Sequence, residues 1–292
     1  MKTRSFSSVA FVVIVTGFFL LRQFVYAPLF NLLIWFAVGM ATFELARALK
    51  EFSAKGGFIV AVVYGVLFVP LYAFLQYVVK SELTWLFMLC FAVFGVLIAV
   101  MLCIKSGCFD RFCATFLPFV YPSLLMLTLL LAGDLDEPKG FLAVLLVFVI
   151  SPCADSMAYL VGMIYNKIRK GQAKKLCPKL SPKKTWAGAI GGVVGGVAGA
   201  LLVCLIFDGK VTEIQNSLPD SAKWTLPYLH FAGIGFLGAI LTEIGDLFES
   251  YIKRRAGIKD MGKIMPGHGG IMDRIDGMSF ASVAVFIWFL FI

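Results

Sequence analysis

The sequence predicts an all-α, polytopic integral membrane protein of about nine transmembrane helices, with its N-terminus in the cytoplasm. Three observations carry that reading. Hydrophobic residues make up 60% of the 292, and charged residues 15%, against roughly 25% charged in an average soluble domain. Mean hydropathy is +0.92. The apolar runs also reach about 20 residues, enough to cross a hydrocarbon core.

In order, the predicted spans fall at 6–21, 27–47, 57–79, 83–104, 112–132, 140–164, 185–207, 229–252 and 270–292. The first follows Met1–Arg4, and Val25-Tyr26-Ala27 loosely resembles a cleavage site. Only Arg22 and Gln23 break the apolar run before the second span begins, so the first reads as an uncleaved helix. Connections are short except 165–184 and 253–269, both dense in Lys and Arg. With the N-terminus inside, 21 of the 26 basic residues fall on the inner side; Arg22, Lys80, Lys139, Lys210 and Lys223 fall outside. That asymmetry puts both basic loops in the cytoplasm. Residues 1–150 then form a scaffold of helices, and 151–292 a second region carrying the two loops.

The chain carries a net charge of +9, with 26 Lys and Arg against 17 Asp and Glu. In a membrane protein this excess reflects the inside bias, and its partner polyanion is an anionic lipid or a nucleotide rather than nucleic acid. The seven cysteines include Cys103, Cys108 and Cys113 at intervals of five, which matches no common zinc spacing. They read as small, reduced, semi-apolar residues.

Carboxylates at membrane depth are costly and mark function. Glu44 and Arg47, three apart near a helix end, read as a local ion pair. Asp155 lies in the sixth span beside Pro152, whose freed carbonyl points to a cavity; a site role and a lysine partner from the next loop are equally consistent. The eighth span is stronger. Glu243, Asp246, Glu249 and Lys253 follow helical spacing, with Asp246, Glu249 and Lys253 on one face. The ninth span opens with Asp273 and Asp276, also on one face. Acids this dense repel unless a cation intervenes, and an oxygen-only set without converging His or Cys fits Mg²⁺. Salt bridges to Lys253, Arg254 and Arg274 are the alternative, but they are weak stabilising devices.

Between these spans, Pro266-Gly267 sets a turn, and Gly269-Gly270 lets backbone approach a ligand at a helix N-terminus, where amides and dipole favour an anion. His268 in that turn is a phosphate-contact candidate; His230 reads as interfacial. The other basic loop ends in Ser181-Pro182-Lys183-Lys184-Thr185-Trp186. There Ser181 reads as a helix N-cap with Pro182 at the first helical position. Lys183, Lys184 and Thr185 would then crowd a positive helix end, which calls for an anion. Overlapping GxxxG patterns at Gly191, Gly195 and Gly199 mark a packing face, within the chain or between subunits.

The run Ser250-x-x-Lys253-Arg254-x₄-Lys259-Asp260-x-Gly262-x₃-Pro266-x-His268-Gly269-Gly270-x-x-Asp273-Arg274-x-Asp276 closely resembles the signature of the phosphatidate cytidylyltransferases. The Ser181–Trp186 stretch and Asp155, with Ala158-Tyr159 and Gly162, also look like that family; Ala187 stands where the family usually has Glu. The resemblance is strong over 151–276 and only hydropathic over 1–150. It implies a homodimer with a two-metal site held by Asp246, Asp273 and Asp276. It also implies CTP contacts from Ser181, Lys183, Lys184 and Thr185. Lys253, Arg254, Lys259 and Arg274 would hold the phosphates of CTP and phosphatidic acid, with Asp155, Asp260, His268, Gly269 and Gly270 lining the substrate site. The implied reaction converts CTP and phosphatidate to CDP-diacylglycerol and pyrophosphate at the cytoplasmic face of a bacterial membrane. A CTP-dependent lipid kinase would need the same parts. A cation-coupled transporter would leave the glycine turn idle, and no inverted repeat is evident.

Overall fold

Apolar segments that meet no water must close their own backbone hydrogen bonds, and helices do this within one segment. The protein is seen here in a computed structural model that describes residues 2–24, 27–103, 109–218, 227–264 and 269–291, without the side chains of 2–12 and 27. The helices are α1 (Lys2–Phe24), α2 (Phe30–Ala48), α3 (Gly57–Ala73), α4 (Thr84–Cys103), α5 (Phe109–Gly133), α6 (Lys139–Ile168), α7 (Trp186–Ile206), α8 (Asp208–Ser217), α9 (Pro227–Arg255) and α10 (Met272–Leu290). Seven helical segments among the described residues are long and apolar enough to cross a membrane: α2, α3 with its extension to Val78, α4, α5, α6, α7 and α9. They mark an integral membrane protein. In α10, Asp273, Arg274 and Asp276 occupy the first five residues, which sets it apart from those seven.

Two connections hold structure that hydropathy does not report. After Ile206 the chain forms α8, which buries Val211 and Ile214. The basic loop after α6 folds back as a hairpin of β1 (Lys175–Cys177) and β2 (Ser181–Thr185), pairing Lys175 with Thr185 and Cys177 with Ser181. Ser181 therefore does not cap α7 as its place before Pro182 predicts. Thr185 does: its backbone is extended (φ −119°, ψ 154°) and its Oγ1 accepts from Gly188 N at 3.0 Å. The strand pairing keeps Ser181–Thr185 extended and leaves Thr185 as the last residue able to cap.

The described chain groups into two units. One comprises the residues up to Leu130 together with Arg255–Ile275, the other Leu131–Arg254 together with Asp276–Ile292. In the first, α2 packs on α3 where Thr42 fills the space over Gly65. Tyr64 of α3 stacks on Phe91 of α4 at 4.6 Å between ring centroids and meets Phe119 of α5 at 5.2 Å. The loop after α2 is tied down by Ala54 N, which donates to Thr115 Oγ1 at 2.8 Å. Past Pro70, α3 widens through Phe74–Val78, with Val79 N bonding Phe74 O.

In the second unit α6 and α7 lie against each other along their length. A methyl on Gly195 would stand 2.5 Å from Met157 Cβ and 2.7 Å from the Cys153 carbonyl oxygen. Gly191 and Gly199 meet Val161 and Cys153 in the same way, while Gly196 faces Ala239 of α9. The small-residue stripe is thus an internal packing face. Gly195→Ala should lower the detergent-solubilised protein's stability by about 1–3 kcal/mol through overpacking. Gly209→Ala, where a methyl would meet nothing within 4 Å among the described residues, should leave the thermal midpoint unchanged or raise it slightly.

Candidate active site

Glu243, Asp246, Glu249 and Lys253 recur every three or four residues along α9, so their side chains leave the helix on one side. Glu249 is fully buried and Glu243 is 8% exposed. Asp246, Glu249 and Asp276 each offer a carboxylate oxygen, and these three atoms lie within 4.8 Å of one another. Asp276 Oδ1 is held by Gly277 N at 2.7 Å, and Ser250 Oγ donates to Asp246 Oδ1 at 3.4 Å. Asp155 of α6 faces the same group, its charge interacting with Asp276, Asp246, Lys184 and Glu243.

Two lysines offset this negative charge. Lys184, on β2, places its ammonium 2.6 Å from Glu243 Oε2 and 2.7 Å from Asp246 Oδ2. Lys253 pairs with Glu249 one turn back on its own helix. Burial presses Lys184 toward its neutral form, but Asp246 and Glu243 outweigh burial and hold its pKa above the ordinary lysine value of 10.5. The carboxylate triplet fits a divalent cation: its donors are all oxygen, partly or fully buried, and close enough for one ion to reach all three.

Asp273 behaves differently. In the first unit its Oδ2 accepts from Gly270 N at 2.7 Å and from Met261 N at 3.0 Å, so it ties Met261 and Gly270 to the start of α10. Gly269 there has φ +87°, a left-handed value that favours glycine. Glu44 of α2 is also drawn in. It is 2% exposed, and its Oε2 accepts from Met272 N at 2.9 Å. Its expected partner Arg47 is exposed on α2. A buried carboxylate finds a better match in a helix N-terminal amide than in a solvated guanidinium.

Along β2, Lys183 is exposed, Lys184 half-buried and Thr185 buried. Arg254 Nε donates to Leu180 O at 3.2 Å, joining the end of α9 to the hairpin turn. Lys259 and Asp260 are exposed, and Arg274 is half-buried. His268 lies outside the described residues. Glu243 and Glu249 stand beside Asp246 on the acidic face that the sequence marks on α9, whereas Glu44 meets Met272 N in place of the Arg47 that the sequence offers it. Nothing local in the sequence signals that partner, which lies 228 residues away.

Fold and side-chain geometry define a polytopic membrane protein with a cluster of carboxylates toward the end of α9. A family model described as the cytidylyltransferase family matches residues 2–292, and the chain belongs to that family. Three curated relatives are each named phosphatidate cytidylyltransferase. The protein of Brucella abortus biovar 1 (strain 9-941) is 33% identical over 153 residues, 52% of this chain and 48% of its own. That of Helicobacter pylori (strain J99) is 38% identical over 82 residues, 28% of this chain and 31% of its own. That of Mycobacterium bovis is 54% identical over 54 residues, 18% of each. The chain spans about half or less of the length of the curated relatives it matches.

Two outcomes follow from this geometry. Glu249→Gln should weaken Mn²⁺ binding, read from the EPR signal of the free ion, by at least the roughly tenfold that even an outer-shell change costs. Asp110→Asn, which removes a surface pair with Arg255 at 3.1 Å, should leave it unchanged. Because the folded pKa of Lys184 is raised, its ion pairs stabilise fully below pH 10.5 and lose their effect as pH rises through the folded value. Lys184→Met should therefore destabilise the protein by about 3 kcal/mol near pH 8. In unfolding measured against pH, the gap to wild type should close above that range.

Proposed function

We propose that the chain is a phosphatidate cytidylyltransferase, joining CTP and phosphatidate into CDP-diacylglycerol and pyrophosphate. The observation that carries this is the Asp246, Glu249 and Asp276 triplet within 4.8 Å, in a chain of the cytidylyltransferase family. Asp246, Glu249 and Asp276 would hold Mg²⁺, and Asp273 remains the candidate ligand of a second cation. Bound there, Mg²⁺ neutralises charge on the transferring and leaving phosphate oxygens.

The chemistry asks little else of the protein. A phosphate oxygen of the lipid attacks the α-phosphorus of CTP in line; that P–O bond forms as the bond to the β-phosphate bridge breaks, and pyrophosphate leaves. The nucleophile is already ionised near neutral pH, so no strong base is required. Alignment and charge neutralisation dominate. Lys253, Arg254, Lys259 and Arg274 serve as phosphate holders for the two substrates. Ser181, Lys183, Lys184 and Thr185 serve CTP, while Asp155, Asp260, His268, Gly269 and Gly270 line the substrate site. Lys184 enters this role with its ammonium shared between Glu243 and Asp246, which keeps it charged.

Nine spans with the N-terminus inside complete the reading, with α1 and α10 as the first and the last along the chain. Both basic loops then open to the cytoplasm of a bacterial cell, where CTP arrives, and phosphatidate enters from the bilayer. Subunit pairing belongs to the same proposal. With purified protein, Mg²⁺ and phosphatidate, CTP labelled at the α-phosphate should label lipid, and CTP labelled at the γ-phosphate should not. Label from the γ-position would instead mean a lipid kinase. Omitting divalent ions, or Asp276→Asn, should lower the rate by at least about a hundredfold.

A further inference from the structure

The amides that open a helix attract anions, and by its sequence the turn before α10 is a phosphate cradle. In the folded chain those amides have acceptors of their own. Met272 N donates to Glu44 Oε2, and Gly270 N to Asp273 Oδ2. The Ile271 amide lies close enough to add to the pull on Glu44. An intramolecular pair of carboxylates thus occupies the place of an anion.

Glu44 reaches this position from α2, 228 residues earlier in the chain. It is 2% exposed, and its Oε1 has no hydrogen-bond partner among the described residues. Burying a carboxylate with so few partners costs several kcal/mol, and such groups mark places where something other than stability is at stake. The surroundings are shaped to it. A methyl on Gly262 would collide with Oε1, and one on Gly270 with Oε2. Both glycines make room for a side chain of this protein.

We propose that Glu44 is a positioning residue: by capping the first amides of α10 it holds Gly262, Gly270 and Asp273 in their working arrangement. The proposal rests on the cytidylyltransferase reading above. It also implies that substrate phosphate is met by the basic side chains near this turn, since the amides of Gly270 and Met272 are already engaged.

The test uses purified full-length protein with Glu44→Ala, Glu44→Asp and Glu44→Gln. Each is measured for kcat, for KM of CTP and for backbone amide hydrogen exchange across 259–275. Glu44→Ala and Glu44→Asp should lower kcat about a hundredfold, with KM for CTP changed by less than about threefold, as expected for misplacement rather than lost binding. Exchange at Gly270 and Met272 should accelerate in both. Glu44→Gln keeps an oxygen that accepts from Met272 and should stay within about fivefold of wild type. Wild-type kcat and exchange in Glu44→Ala would overturn the proposal, as would a Glu44→Gln variant as damaged as Glu44→Ala. If Glu44→Ala does not fold, the contrast between Asp and Gln decides. A wild-type protein that makes no CDP-lipid would sink the activity reading, and exchange would still decide the role of Glu44.

Discussion

Where α6 and α7 meet, α7 gives up its side chains so that two backbones can approach. In lipid no hydrophobic force drives helices together, and close van der Waals packing must do it. Gly188, Gly191, Gly195 and Gly199 turn to α6, while Gly192 and Gly196 lie between α6 and α9. With both faces pared down, α7 acts as a thin strut between its neighbours. Its N-terminus follows the hairpin that carries Lys184, α6 carries Asp155, and α9 carries Glu243 and Asp246. A methyl on Gly192 would lie 2.7 Å from Glu243 Oε1, so the packing surface and the charged surface touch. Widening the strut would separate the charges that the cluster depends on.

Those charges explain how so many acids persist near an apolar core. Lys184 bridges Glu243 and Asp246, and Lys253 answers Glu249. An ammonium has three donors, and Lys184 directs two of them at carboxylates. Its hold on a nucleotide phosphate would therefore draw on the same charge that steadies α9.

Hydropathy and helical spacing carry much of this architecture. The seven helices long and apolar enough to cross a membrane stand where the sequence places spans, and Asp246 and Asp276 bring carboxylate oxygens within 4.8 Å of each other. What escaped has a common origin in pairing over distance. Ser181 satisfies every local criterion for a cap, yet Lys175–Cys177 claims it as a strand and the role passes to Thr185. α8 buries only two residues, too few to stand out in a polar loop. Glu44 has a plausible partner three residues away in Arg47, and only the folded chain brings it to Met272. Asp273 and Asp276 look equivalent on a helical wheel, but the local turn claims an oxygen of the first for its own amides.

The path of the chain has a consequence for biosynthesis. The unit built from the earliest helices also contains Arg255–Ile275, and the residues from Leu131 to Arg254 belong to the other unit. A ribosome working at about 5–20 residues per second needs roughly ten seconds to traverse that intervening stretch. Throughout that interval Glu44 waits in a nascent chain without the amide it will cap. The first helices to enter the membrane are thus among the last to be completed, and maturation of this protein cannot proceed strictly from N-terminus to C-terminus.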